Sequence, residues 1–182
     1  MRDSNFLNNY FNKYSKLIKP NKKIIDQLVE IKNLIKVIKR KKSKILIFGN
    51  GGSSAIASHF SVDIAKNFGI KCLNFNEASF ITCFANDYGF DNWITKAIKL
   101  YSNKGDLLIL ISSSGRSKNM LNAVRNSKKY KIYKVITFTG FDKNNTLRKM
   151  GDINLWADSK SYNFVENTHQ LWLLSLIDLL TK

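Results

Sequence analysis

Two short stretches hold the residues best suited to chemistry. In "GNGGSS" (49–54), Asn50, Gly51, Gly52 and Ser53 follow the apolar run "KILIF". In "ISSSGRS" (111–117), Ser112, Ser113, Ser114 and Ser117 follow the run "DLLIL". Glycines at the end of a strand let backbone N–H groups close on a ligand, and the start of the next helix adds free donors and a partial positive charge. Serine hydroxyls add neutral donors, so the two loops are suited to wrapping the oxygens of a phosphate without a fixed cation. Helix capping accounts for one serine per loop but not for four within seven residues. Arg116, inside the second loop, adds a cation that favours an anionic ligand.

A dinucleotide reading fits less well. Ser54 occupies the third glycine position of that fingerprint, and Glu77 comes late for a ribose contact. No Gly-Lys-Ser/Thr follows either loop, so a Walker loop is absent.

The surrounding pattern supplies the elements that position these loops. Residues 1–42 read as two helices split by Pro20, the only proline. Phe6, Leu7, Tyr10, Phe11, Tyr14, Leu17 and Ile18 form one apolar stripe, and Ile24, Leu28, Ile31, Ile35 and Ile38 form a second at helical spacing. Such stripes suit a homo-oligomer interface or packing within the chain. From residue 43 the pattern alternates: strands are expected at 44–49, 70–75, 106–115, 131–140 and 152–158, with helices between them and a last helix from about 163. The stretch "NEASFITCFANDYGF" (76–90) shows no period and reads as a loop. Apolar strands alternating with helices imply an α/β domain with a parallel sheet covered on both faces. No linker or repeat divides the chain, so 1–182 reads as one domain, with 1–42 as an oligomerising helical pair and 43–182 as the ligand-binding core.

Composition narrows the class. The hydrophobic share of 44% is that of a globular chain, and no apolar run is long enough to span a membrane. With no signal-type start, a cytoplasmic protein is expected. Cys72 and Cys83 lie in apolar surroundings and read as core residues rather than metal or disulfide partners. The net charge of +17 raises the possibility of nucleic acid as a partner, but 13 of the 30 basic residues precede the first loop, and a solvated face explains them better.

The motifs "GNGGSSAIASHF", "FANDYGF", "ISSSGRS" with "VITFTG", and "VENTHQLWLL" together resemble the sugar isomerase (SIS) family, in its phosphoheptose isomerase branch. The resemblance covers essentially the whole chain. It implies a five-stranded parallel, flavodoxin-like sheet flanked by helices, and a homotetramer with sites at subunit boundaries. It further implies aldose–ketose isomerisation of sedoheptulose 7-phosphate through an enediol, with zinc, in heptose synthesis for lipopolysaccharide or capsule. On that resemblance Asn50, Gly51, Gly52, Ser53, Asn86 and Asp87 would contact the sugar, and Ser112, Ser113, Ser114 and Ser117 the phosphate. His59 matches a zinc ligand, and Asp63 stands where the family has a glutamate serving as ligand and acid/base. Glu166 stands at a glutamine used for metal and substrate, and Leu174 at a histidine that binds metal and moves a proton. Leucine carries no proton, which leaves His169, three residues after Glu166, as the substitute proton carrier. His59, Asp63, Glu166 and His169 would then offer mixed nitrogen and oxygen donors. Two other readings stay open: a phosphosugar-binding protein without turnover, and a protein-interaction module.

Overall fold

A computed structural model describes residues 2–182. Five strands, β1 (Ile45–Gly49), β2 (Cys72–Leu73), β3 (Leu107–Ser112), β4 (Lys134–Thr139) and β5 (Ile153–Trp156), form one sheet in the order β2-β1-β3-β4-β5. Every pairing is parallel. Because side chains alternate across a strand, each strand feeds both faces. Ile45, Ile47, Leu107, Ile109, Ile136 and Phe138 pack on one side with α2 (Lys22–Arg40), α3 (Gly52–Phe68) and α7 (Tyr162–Thr181). Leu46, Phe48, Leu108, Leu110 and Val135 pack on the other with α5 (Trp93–Tyr101) and α6 (Lys118–Ser127). Burial on both faces explains why β1 and β3 are apolar without alternation.

The strand order decides where a ligand fits. From β1 the chain crosses outward to β2, then returns past β1 to β3 and continues to β4 and β5 on the opposite side. β1 and β3 are therefore neighbours whose following loops diverge, with Gly49 opposite Ile111. Such a topological switch opens a crevice at the carboxyl ends of the strands. Both glycine- and serine-rich loops leave the sheet there.

Several boundaries differ from the sequence reading. Residues 78–88 form a helix, α4 (Ala78–Tyr88), not a loop. The Glu77 carboxylate caps it, accepting from the N–H groups of Ser79 (3.0 Å) and Phe80 (2.8 Å). Phe80 stacks on Phe84 (4.1 Å), and Tyr88 meets Phe84 edge-on (5.6 Å), so the helical period was carried by aromatics four apart. Phe80, Ile81 and Phe84 are only partly buried against the core, so the apolar stripe that marks the helix is short and shallow. Cys83 accordingly sits exposed on α4 rather than in the core, whereas Cys72 is largely covered and burial pushes its thiol pKa up.

The two N-terminal helices have different fates. In α2, capped by Asn21, the stripe Ile24, Leu28, Ile31, Ile35 and Ile38 is buried in the chain's own core, so it packs within the chain. In α1 (Arg2–Ile18) nothing is buried. Tyr10 and Tyr14 rest on Phe164 of α7 at 4.6 and 5.6 Å, while Phe6, Leu7 and Phe11 face outward.

Candidate active site

The two loops enclose a cleft of about 280 Å³ at the switch point. Asn50, Gly51, Gly52 and Ser53 line one wall, Ser112, Ser113, Ser114 and Ser117 the other, and Tyr162 and Glu166 of α7 close the third. All eight loop residues named from the sequence are thus brought together. At the helix starts the N–H groups of Ser53 and Ser54 bond back to the carbonyls of Asn50 and Gly51, and that of Met120 to the carbonyl of Ser117, so both loops are closed by tight turns into α3 and α6.

The loops are tied to each other and to the fold. Asn50 and Asn119 exchange two amide hydrogen bonds, at 3.1 and 3.0 Å, joining the first loop to the first turn of α6. The Asn50 amide is therefore a brace between loops. The hydroxyls of Ser112 and Ser117 lie 3.3 Å apart across the second loop. Gly115 has a φ of +62°, and a Cβ there would collide with the Asn145 side chain. Asn145 is buried, donates to the carbonyls of Gly140 and Asp142, and accepts from the Arg148 N–H, so it holds the loop from behind. Arg116 turns away from the cleft to pair with Asp142 at 2.9 Å. A larger hollow of about 750 Å³ opens beyond Ser114 between Arg116, Phe141, Trp156 and Lys160, but Ser114 is the only serine of the second loop that borders it and Glu166 does not reach it.

Glu166 packs directly over the first loop. A Cβ on Gly52 would strike its carboxylate, so a larger residue there would push the Glu166 side chain off the loop. Partial burial raises the Glu166 pKa, an effect opposed by the neighbouring Ser113 hydroxyl. That hydroxyl is buried without an aligned hydrogen-bond partner. Among the described residues, Glu166 is the only carboxylate lining the cleft.

The remaining expected residues are placed elsewhere. His169 is fully buried, and the proton-carrier role assigned to it is corrected on that ground. Its Nε2 donates to the Thr139 carbonyl at 2.9 Å, its Nδ1 has no partner, and Phe138 and Trp172 flank the ring. Burial drives its pKa down to about 4, which keeps the ring neutral. Three residues along a helix rotate the side chain by roughly 60°, enough to move it from the cleft edge into the core. Asn86 and Asp87 lie exposed at the end of α4, bonded to each other at 3.0 Å, and do not line this chain's cleft.

His59 and Asp63 lie on α3 outside the cleft lining, with His59 Nε2 3.3 Å from the Asp63 carboxylate. The Gln170 amide approaches His59 Nδ1 at 3.4 Å, on the other edge of the ring. The imidazole thus separates the two oxygen-bearing neighbours, while Glu166 lies over Gly52 in the cleft and Leu174 has no donor. Among the described residues no three His, Cys, Asp or Glu side chains gather as a metal-holding group. A zinc centre with three protein ligands does not fit this donor arrangement.

Four contributors escaped the sequence reading: Asn119, Asn145, Tyr162 and Gln170. Gln170 alone had a local signal, lying one turn after Glu166 on the same helix.

A parallel α/β domain with a serine-walled cleft at its switch point is the class that fold and site define. The family model of the SIS domain matches residues 5–140. The phosphoheptose isomerase of Sulfurimonas denitrificans is 30% identical over 168 residues, covering 89% of this chain and 85% of that protein. That of Fusobacterium nucleatum is 32% identical, covering 86% of each. The solved phosphoheptose isomerase of Neisseria gonorrhoeae superposes with a TM-score of 0.89 at 26% identity, covering 97% of this chain and 98% of that one. This chain belongs to the SIS-domain family.

Proposed function

We propose that this protein is an aldose–ketose isomerase acting on a phosphorylated sugar of heptose type. The observation that carries the reading is the pair of loops converging at the switch point, one wall supplying four serines and the other a glycine-rich helix start. Relatives bearing the name phosphoheptose isomerase cover nearly the whole chain and support the same substrate class.

In this reading the phosphate lies against Ser112, Ser114 and Ser117 and the first turn of α6. Hydroxyl and N–H donors hold the dianion there without a fixed countercharge. The sugar chain then extends along Asn50, Gly51, Gly52 and Ser53 toward Glu166, which puts the carbonyl end beside the cleft's one carboxylate. The brace between Asn50 and Asn119 keeps the two walls at a set separation. Zinc-assisted chemistry has no part in this scheme, since the donors present do not converge. The exposed apolar stripe of α1 supports a homo-oligomer, a tetramer on the family resemblance, in which Asn86 and Asp87 would serve a neighbouring site. A cytoplasmic role in building heptose for surface polysaccharide fits the same substrate.

Incubation with sedoheptulose 7-phosphate, followed by separation of the sugar phosphates, tests the reading. Conversion to the aldose phosphate is expected. Tight binding with no conversion would instead make this a phosphosugar-binding protein, the outcome that leucine at position 174 favours. Neither binding nor conversion would remove sugar phosphates from its function.

A further inference from the structure

Proton transfer in an aldose–ketose exchange needs one group that takes a proton from carbon and returns it to the next carbon, and a route for a second proton between the two oxygens. The groups first expected to do this do not stand where a bound sugar would lie. His169 is sealed in the core with its Nε2 engaged by the Thr139 carbonyl. Asp63 is paired with His59 and lies outside the cleft lining. Leu174 carries no proton.

We propose that Glu166 is the catalytic acid/base of this cleft, with the Ser113 hydroxyl as its partner for the oxygen proton. This rests on the isomerase reading above and names the residue that performs its central step. Among the described residues of this chain, Glu166 is the only carboxylate in the lining, and Tyr162 is the only other titratable residue there. The absence of a side chain at Gly52 seats the carboxylate directly over the first loop. The Ser113 oxygen beside it is buried with no aligned partner, so it is free to donate and accept at once.

The step balances within the substrate. In the aldose-to-ketose direction the Glu166 carboxylate takes the proton from C2. The C2–H electron pair forms the C1=C2 bond, and the carbonyl pair moves onto O1, which takes a proton from Ser113. The resulting enediol gives its O2 proton back to Ser113, C2=O forms, and C1 takes the proton held on Glu166. No oxidant, reductant or co-reactant is consumed.

The closing experiment is exchange in deuterium oxide, followed by proton resonance of sedoheptulose 7-phosphate and its product, together with calorimetric binding of the same ketose. Wild-type protein should wash deuterium into the substrate carbons. Glu166→Gln, which keeps the size that fits over Gly52, should lose exchange and turnover by about 10²–10⁴-fold while binding changes by only a few-fold. Glu166→Asp, tested beside it as a guard against misfolding, should keep the fold and recover part of the exchange. Ser113→Ala should slow turnover more than carbon exchange. Full exchange in Glu166→Gln overturns the assignment, and so does a parallel loss of binding and exchange, which would make Glu166 a binding residue. A wild-type protein that binds the ketose but never exchanges its carbon protons overturns the isomerase reading itself, and the assignment with it.

Discussion

Individual side chains here are chosen by what surrounds them more than by their chemical type. His169 and Glu166 sit three residues apart on one helix, yet one is a neutral core residue and the other faces a polar cleft. The buried histidine makes the fold sensitive to acid. Its folded pKa, about 4, lies below its ordinary value of 6.5, so the unfolded chain binds the proton more readily between those values. The stability it contributes is fully present above pH 6.5 and is lost as pH falls toward 4. Urea unfolding should show about 2 kcal/mol lost to this residue between about pH 7.5 and 5, a slope that His169→Gln should flatten. In the second loop, Ser114→Ala should weaken sugar-phosphate affinity by about 1–3 kcal/mol, the usual loss of a hydrogen bond to a charged group. Unchanged affinity in calorimetry of the folded variant would take Ser114 out of the phosphate site.

Among the elements, the loops depend on supports far away in sequence. Asn119 is buried at the start of α6 and holds Asn50, 69 residues earlier. Asn119→Ala leaves the Asn50 amide without its partner and should destabilise the fold by about 1–3 kcal/mol. The same change should also lower sugar-phosphate affinity, because the walls of the cleft lose their brace; thermal unfolding with and without ligand separates the two effects. The α4 helix depends on a single cap. Glu77→Ala should speed amide hydrogen exchange at Ser79 and Phe80 and fray the first turn, leaving exchange in β1 and β3 unchanged.

At the scale of the molecule, the outer surface is unevenly finished. Phe6, Leu7 and Phe11 are 65%, 50% and 62% exposed on one helix that buries nothing of its own. A stripe of that kind on a helix suits a neighbouring subunit. Light scattering at micromolar concentration is expected to show an oligomer, and Phe11→Glu should shift it to smaller species. A wild-type monomer would mean that α1 serves only to cover α7.

The sheet was legible in the sequence because its strands are buried on both faces, which leaves uninterrupted runs of Ile, Leu and Phe ending in glycine and serine. Those endings marked both loops, and the serine density pointed to the wall of the cleft that the fold brings together. The α2 stripe was equally plain at 4-3-4-3 spacing, but spacing does not say which body covers it; only the packed chain put it against the strands and α7. α4 was missed because it buries only a short stripe, Phe80, Ile81 and Phe84, interrupted by small and polar residues. The site itself was half legible. Which serines and glycines take part follows from local sequence, since a strand, a turn and a helix start are contiguous. Which titratable group faces the ligand depends on how α7 is rotated against the sheet and how α3 lies against α7. A rotation of roughly 60° along one helix separates a core histidine from a cleft carboxylate. The order of β1 and β3 in the sheet, a pairing across about sixty residues of chain, set the two loops face to face. Contacts of that range are made only in the folded molecule, and they decide which chemistry the cleft can support.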